Sequence, residues 1–97
     1  MEVTKINVSD LREAQKNVRK HSDKQIDEYV KSVKMFGQIR PIVVDEKLNI
    51  LAGNGLYRAL VKMGAVECDV YIAKGLTENQ KKKLMLTDNK IFELGMT

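Results

Sequence analysis

The segment ILAGNGLYRALVKMG, residues 50–64, dictates one junction of any fold this chain adopts. An apolar run, Ile50-Leu51-Ala52, leads into Gly53-Asn54-Gly55, and Leu56, Ala59, Leu60 and Met63 then recur at helical spacing up to Gly64. The run reads as a strand and the recurrence as a helix, so the chain turns from one to the other at the glycines. Glycines there can serve a tight turn and nothing else. They can also let backbone N–H groups approach an anion at a helix N-terminus, with Arg58 one turn further in. The residues alone leave both uses open.

The remaining elements follow from similar signals. EVTKINV alternates Thr4, Ile6 and Val8 against Val3, Lys5 and Asn7, as a short strand does. Ser9-Asp10-Leu11 reads as a single turn within a polar connection. Ser22-Asp23-Lys24-Gln25 is a capping box, and Ile26, Tyr29, Val30 and Val33 continue at helical spacing until Gly37 stops the helix. Ile42-Val43-Val44 follows Pro41 as a β-branched strand, Asp45-Glu46-Lys47 turns the chain, and Asn49-Ile50-Leu51 returns as a second short strand. CDVYI, residues 68–72, is a further buried strand. Thr77-Glu78-Asn79-Gln80 is a second capping box; it opens a basic helix, with a separate helical segment expected from Asp88 to Leu94. Strands and helices in this order predict an α+β domain with a small mixed sheet. The helices near 23–36 and 55–63 are expected to pack on strands 42–44 and 70–72.

Composition narrows the function classes. Ninety-seven residues make one domain, and a hydrophobic content of 43% with a single Pro suits a folded core rather than a disordered tail. With three Tyr, two Phe and no Trp, that core is aliphatic. The net charge of +4 permits contact with phosphates without demanding it. The one dense basic run, Lys81-Lys82-Lys83, reads by itself as a solvated helix face. Cys68 is the sole cysteine, so no internal disulfide forms, and its apolar setting marks a buried structural thiol. One His (His21) far from one Cys makes a zinc site improbable. No apolar run reaches membrane length and no signal-peptide pattern appears, which makes the cytoplasm the default compartment.

Polar clusters punctuate the elements: Asn17-Val18-Arg19, Gly37-Gln38-Ile39-Arg40-Pro41, Gly53 to Arg58, and Asp88-Asn89-Lys90 interrupting the last helical region. An acidic residue beside an amide, as at Asp88-Asn89, is a reasonable pair to support magnesium. Each also has a structural reading: loop hydrogen bonds at Asn17 and Arg19, surface charge at Arg40, an N-cap at Asp88.

Taken in order, the segment from Asn17 to Gly95 resembles the ParB/sulfiredoxin superfamily, specifically the ParB-like N-terminal nuclease domain of the phage and DNA-methyltransferase-associated type. NVRKHSDKQIDEYVKSVKMFGQIRPIVVD is similar to that family's opening, ILAGNGLYRALVKMG to its phosphate loop and helix, and LTENQKKKLMLTDNKIFELG to its close. The resemblance implies a ParB/sulfiredoxin-like mixed sheet packed with helices and a nucleotide- or nucleic-acid-handling domain. It places phosphates of a CTP-like nucleotide on Gly53, Asn54, Gly55 and Arg58, with Arg40 and Asn89 in support. It places magnesium, accompanying a nucleoside triphosphate, at Asp88. Arg19, Lys81, Lys82 and Lys83 are the corresponding nucleic-acid candidates. Homodimerisation and a fused or cooperating DNA-modifying enzyme are among the partnerships it implies.

The chain departs from the family pattern in particular places. Partition proteins carry an acidic residue and two arginines where this chain has Asn54, Gly55 and Leu56, and an Arg expected after Asn89 is replaced by Phe92. The lost guanidiniums weaken the case for triphosphate binding. Sulfiredoxins place a catalytic Cys near Gly55, and its absence argues against that activity. No helix-turn-helix follows, so sequence-specific DNA reading is not expected of this piece, and a longer parent protein is an open alternative. The leading expectation is a domain that binds nucleotide or nucleic-acid phosphate in DNA partition, DNA modification or phage-related DNA processing. The alternatives are an active nuclease or nucleotide hydrolase of the same fold, and a degenerate interaction module without ligand.

Overall fold

The computed structural model describes residues 3–13 and 22–93, with the side chains of 87–93 excepted. Its elements run β1 (Val3–Asn7), a single 3-10 turn (Val8–Asp10), α1 (Asp23–Phe36), β2 (Ile42–Val44), β3 (Ile50–Ala52), α2 (Asn54–Lys62), β4 (Glu67–Ile72) and α3 (Glu78–Glu93). The four strands form one mixed sheet in the order β1-β4-β2-β3. Strand β1 lies antiparallel to β4, β4 parallel to β2, and β2 antiparallel to β3. This is the α+β architecture the residue pattern predicts.

Local chemistry accounts for most element ends. The Ser22 hydroxyl accepts from the Gln25 N–H at 3.2 Å while the Gln25 side chain accepts from the Ser22 N–H at 3.0 Å, closing the predicted capping box of α1. Thr77 and Gln80 make the same reciprocal pair, at 3.1 and 2.9 Å, ahead of α3. Gly37 ends α1 with φ of +77°, which a side chain would strain, and its N–H donates to the Val33 carbonyl at 2.8 Å. One expectation is corrected. Asp88-Asn89-Lys90 does not interrupt the last helical region, because α3 runs unbroken from Glu78 to Glu93. Asp88 therefore caps no second helix.

Alternation along the strands decides the core. Ile42 and Val44 of β2 and Cys68 and Val70 of β4 point to one face, where they meet Val8, Leu11, Ile50 and Leu60. Helix α1 packs on α2, α2 also packs on β2, and α3 packs on β3. Ile42, Val44, Ile50, Leu51 and Val70 are fully buried, and each contributes about 1.5–3 kcal/mol over an exposed side chain. Cys68 is 3% exposed and burial pushes its thiol pKa up, consistent with a structural thiol.

The sheet is tied at two further places. The Arg12 N–H donates to the Leu48 carbonyl at 2.9 Å and the Arg12 carbonyl accepts from the Ile50 N–H at 2.8 Å, covering the outer edge of β3. At β4, the Gln38 side-chain amide donates to the Asp69 carbonyl and accepts from the Asp69 N–H, both at 2.8 Å. The amide thus imitates a strand one step beyond the Ile42–Val70 pair.

Candidate functional site

Strand β3 ends at Ala52 and the chain enters α2 through Gly53, whose φ of +99° and ψ of +26° are left-handed. A Cβ on Gly53 would lie 3.4 Å from the Ile42 side chain, an ordinary contact. The residue is therefore required for its backbone conformation and not for lack of space. Gly55 differs. It is already inside the helix, buried, and outside the set of positive-φ residues. The expected two-glycine loop is in fact one glycine turn followed by a glycine in the first helical turn.

The first helical hydrogen bond of α2 is Tyr57 N–H to the Gly53 carbonyl, at 2.9 Å. The amide N–H groups of Asn54, Gly55 and Leu56 find no acceptor among the described residues. They are the orphan donors of a helix start, carrying its partial positive charge. No side chain caps them among the described residues. Asn54 itself is 4% exposed, and its Oδ1 is buried without a hydrogen-bond partner among the described residues. A buried amide oxygen left unpaired costs about 1–3 kcal/mol, so this corner of the fold holds unspent polar capacity.

Arg58 is placed differently from the expectation of a guanidinium open to the loop. Its Nε donates to Oε2 of Glu13 at 2.8 Å and its Nη2 to Oε1 at 3.2 Å, a bidentate ion pair. Glu13 is the residue that sequence reasoning missed. It lies 45 positions from Arg58, in a stretch read only as a polar connection. Nothing local announces it.

The other expected site residues lie on other elements. Arg40 is exposed, its carbonyl accepting from Gln38 Nε2 at 3.0 Å; it stands two residues before Ile42, which abuts Gly53. Lys81 is drawn inward, with Nζ 3.1 Å from Oδ2 of Asp45 and its side chain 17% exposed. Its amine pKa is raised, first by the hydrogen bond to Asp45. Lys82 and Lys83 are exposed on the same helix. So the basic run is not a uniform solvated face: one of its lysines is a structural tie. Arg19, like Asn17 and His21, lies outside the described residues. Asp88 and Asn89 lie on α3, with side chains outside the described ones. No group of three or more His, Cys, Asp or Glu suited to a metal ion occurs among the described residues. No described helix is long and apolar enough to cross a membrane.

The fold and the glycine-opened helix define an α+β domain of the ParB/sulfiredoxin kind. The chain belongs to the ParB N-terminal domain family, whose pattern it matches over residues 1–90. It is 41% identical over 69 residues to the ParB-like nuclease domain-containing protein YnaK of Escherichia coli, an alignment covering 69% of this chain and 77% of the relative. Solved structures share its fold. The C-terminally truncated chromosome-partitioning protein ParB of Caulobacter crescentus, complexed with CTP-gamma-S, superposes with a TM-score of 0.81 at 16% identity. That match covers 92% of this chain and 53% of the other, so the present chain spans about half of that truncated chain. Sulfiredoxin of Arabidopsis thaliana superposes with a TM-score of 0.69 at 20% identity, covering 77% of this chain and 88% of the other.

Proposed function

We propose that the domain binds a phosphate group, of a nucleotide or of nucleic acid, at the start of α2 and acts in DNA partition, DNA modification or phage-related DNA processing. The observation that carries this reading is the opening of α2. There the amides of Asn54, Gly55 and Leu56 lack acceptors among the described residues, and the Asn54 side chain is buried with an unpartnered oxygen. An anion at that point would satisfy the N–H donors and meet the positive end of the helix. The Asn54 amide can present its NH2 to a phosphate oxygen or its carbonyl to a donor. Family membership and the CTP-gamma-S bound to the Caulobacter fold relative support a phosphate as that anion.

Magnesium accompanying the bound nucleotide belongs to this reading as a proposed cofactor. Asp88 and Asn89 would supply its oxygens, and Asn54 Oδ1 has the oxygen chemistry that the ion or its bound water takes. Nuclease or nucleotide-hydrolase activity is the second reading, favoured by the 41% identity to a protein described as ParB-like nuclease domain-containing. Contact of nucleic acid with Arg19, Lys82 and Lys83, a homodimer, a DNA-modifying partner and a cytoplasmic location complete the proposal.

Calorimetric titration with CTP, ATP and single-stranded DNA in magnesium buffer tests it. Saturable binding of at least one is expected, weakened by lengthening Gly55 to Ala. A folded protein that binds none of the three would overturn the reading.

A further inference from the structure

Arg58 and Asn54 stand at i+4 and i on α2, so they share one helix face. Side chains on a helix lean toward its N-terminus, which carries the stem of Arg58 back toward Asn54. Its guanidinium is met there by both carboxylate oxygens of Glu13, at 2.8 and 3.2 Å. Glu13 is not a loosely held surface acid. It is 24% exposed and directly follows Arg12, whose N–H and carbonyl are bonded into the β3 edge at 2.9 and 2.8 Å. Residues 50–57 contain no Lys or Arg. On α2 and the strand that feeds it, the Arg58 charge is thus paired with a held carboxylate, leaving neutral N–H donors and the helix dipole as what these described residues offer. Such a site can hold one phosphate of low charge. A triphosphate brings several charges, finds no unpaired guanidinium on α2, and meets Glu13 as a like charge.

Building on the phosphate-binding reading above, we infer that Glu13 sets the charge class of the ligand. By cancelling Arg58 it makes the Gly53 site one for a single low-charge phosphate, a nucleoside monophosphate or a phosphodiester of nucleic acid, and disfavours a triphosphate.

The test is calorimetry in magnesium buffer with CMP, a short oligothymidylate and CTP, on the parent, Glu13→Gln and Glu13→Asp. Thermal melts verify that each variant is folded at the assay temperature. CMP and the oligonucleotide separate the two sources of the phosphate, and saturation by either one supports the charge class. In the parent, CTP is expected to bind no more than about threefold tighter than the better of the other two. E13Q keeps the shape, removes the charge and frees Arg58, so the ratio should move toward CTP by roughly tenfold or more, the size of one charged hydrogen bond. E13D retains the charge and should keep the parent ratio. A merely structural ion pair would lower the melting temperature of E13Q and leave the ratio unmoved. That result, or a parent that prefers CTP by more than about tenfold, overturns the inference and leaves phosphate binding standing. Failure of parent and variants to bind any of the three overturns phosphate binding itself and the inference with it.

Discussion

The ammonium of Lys81 sits 3.1 Å from Oδ2 of Asp45, joining the first turn of α3 to the turn between β2 and β3. Asp45 is 2% exposed, and all its acceptor capacity is in use. Its Oδ1 takes the backbone N–H groups of Lys47 and Asn49, both at 2.9 Å, and its Oδ2 takes Asn49 Nδ2 at 3.0 Å beside Lys81. The carboxylate thereby shapes the hairpin and docks the helix at once.

Replacing Lys81 by Met should lower the denaturant midpoint clearly, whereas Lys82→Met, on the exposed side of the same run, should leave it almost unchanged. Removing the ammonium strips a buried carboxylate of its charged partner among the described residues, while losing an exposed lysine changes little. Urea titrations of the two variants side by side check this. Equal midpoints would mean that the tie contributes nothing.

Asp45 also predicts a pH dependence. Burial pushes its carboxyl pKa up, but the Asn49 side chain and backbone, Lys81 and the Lys47 N–H more than offset this and bring it from 3.8 down to about 2. A depressed folded-state pKa means the ionised form favours the native state. Its contribution is complete above 3.8 and is lost as the pH falls toward 2. Over that interval the loss is about 2 kcal/mol. Asp45→Asn should be less stable than the parent at neutral pH, and the gap should narrow by about that amount as the pH drops through this window. Unfolding free energies measured across the acid range would show a constant gap if the carboxylate were not responsible.

The two glycines of the loop should respond in opposite ways. Gly53→Ala forces a left-handed residue to carry a Cβ and should cost about 1 kcal/mol or more of stability. Gly55→Ala places a better helix former at a helical position; the fold should persist while phosphate binding weakens, because the added methyl stands beside the amides that lack acceptors among the described residues. Thermal melts paired with calorimetry separate the two effects. A Gly55→Ala variant that binds as tightly as the parent would show that close backbone approach is not needed there.

Gln38→Ala should cost about 1–2 kcal/mol, since it leaves the N–H and carbonyl of Asp69 without their side-chain partner. Gln38→Glu should not restore it: a carboxylate accepts from the Asp69 N–H but cannot donate to the Asp69 carbonyl. Urea unfolding of both variants is the measurement, and full stability of Q38E would remove the strand-mimic role.

How much of this was legible beforehand depended on distance along the chain. Element order, both capping boxes and the Gly37 stop rest on signals within a few residues, and those appeared as expected. The continuous α3 was misread because Asp88 resembles a cap to a local reader, yet nothing in that stretch breaks helical hydrogen bonding. The pairs that tie the fold, and the one beside the site, join residues far apart: Lys81 to Asp45 across 36 positions, Gln38 to Asp69 across 31, Glu13 to Arg58 across 45. A single sequence carries no record of such partners. One hint was present for Lys81. Helical spacing sets it on the face of Leu84 and Met85, both partly buried, and so marks it as the inward lysine of the three.

The strand order also sets a sequence of events in time. β2, β3, α2 and β4 are contiguous from Ile42 to Ile72, so the glycine-opened helix and its sheet neighbours can assemble through short loops. β1 must cross to the far end of the chain, with Lys5 opposite Asp69, 64 positions away. Closing that long loop is entropically the costlier step, which places the docking of β1 late on the folding route. Ile6→Ala should accordingly speed unfolding far more than it slows folding, a division that the two arms of a chevron plot report directly. Glu13, just beyond β1 and its following turn, would then reach Arg58 only as the amino-terminal segment closes, making that ion pair one of the last native contacts to form.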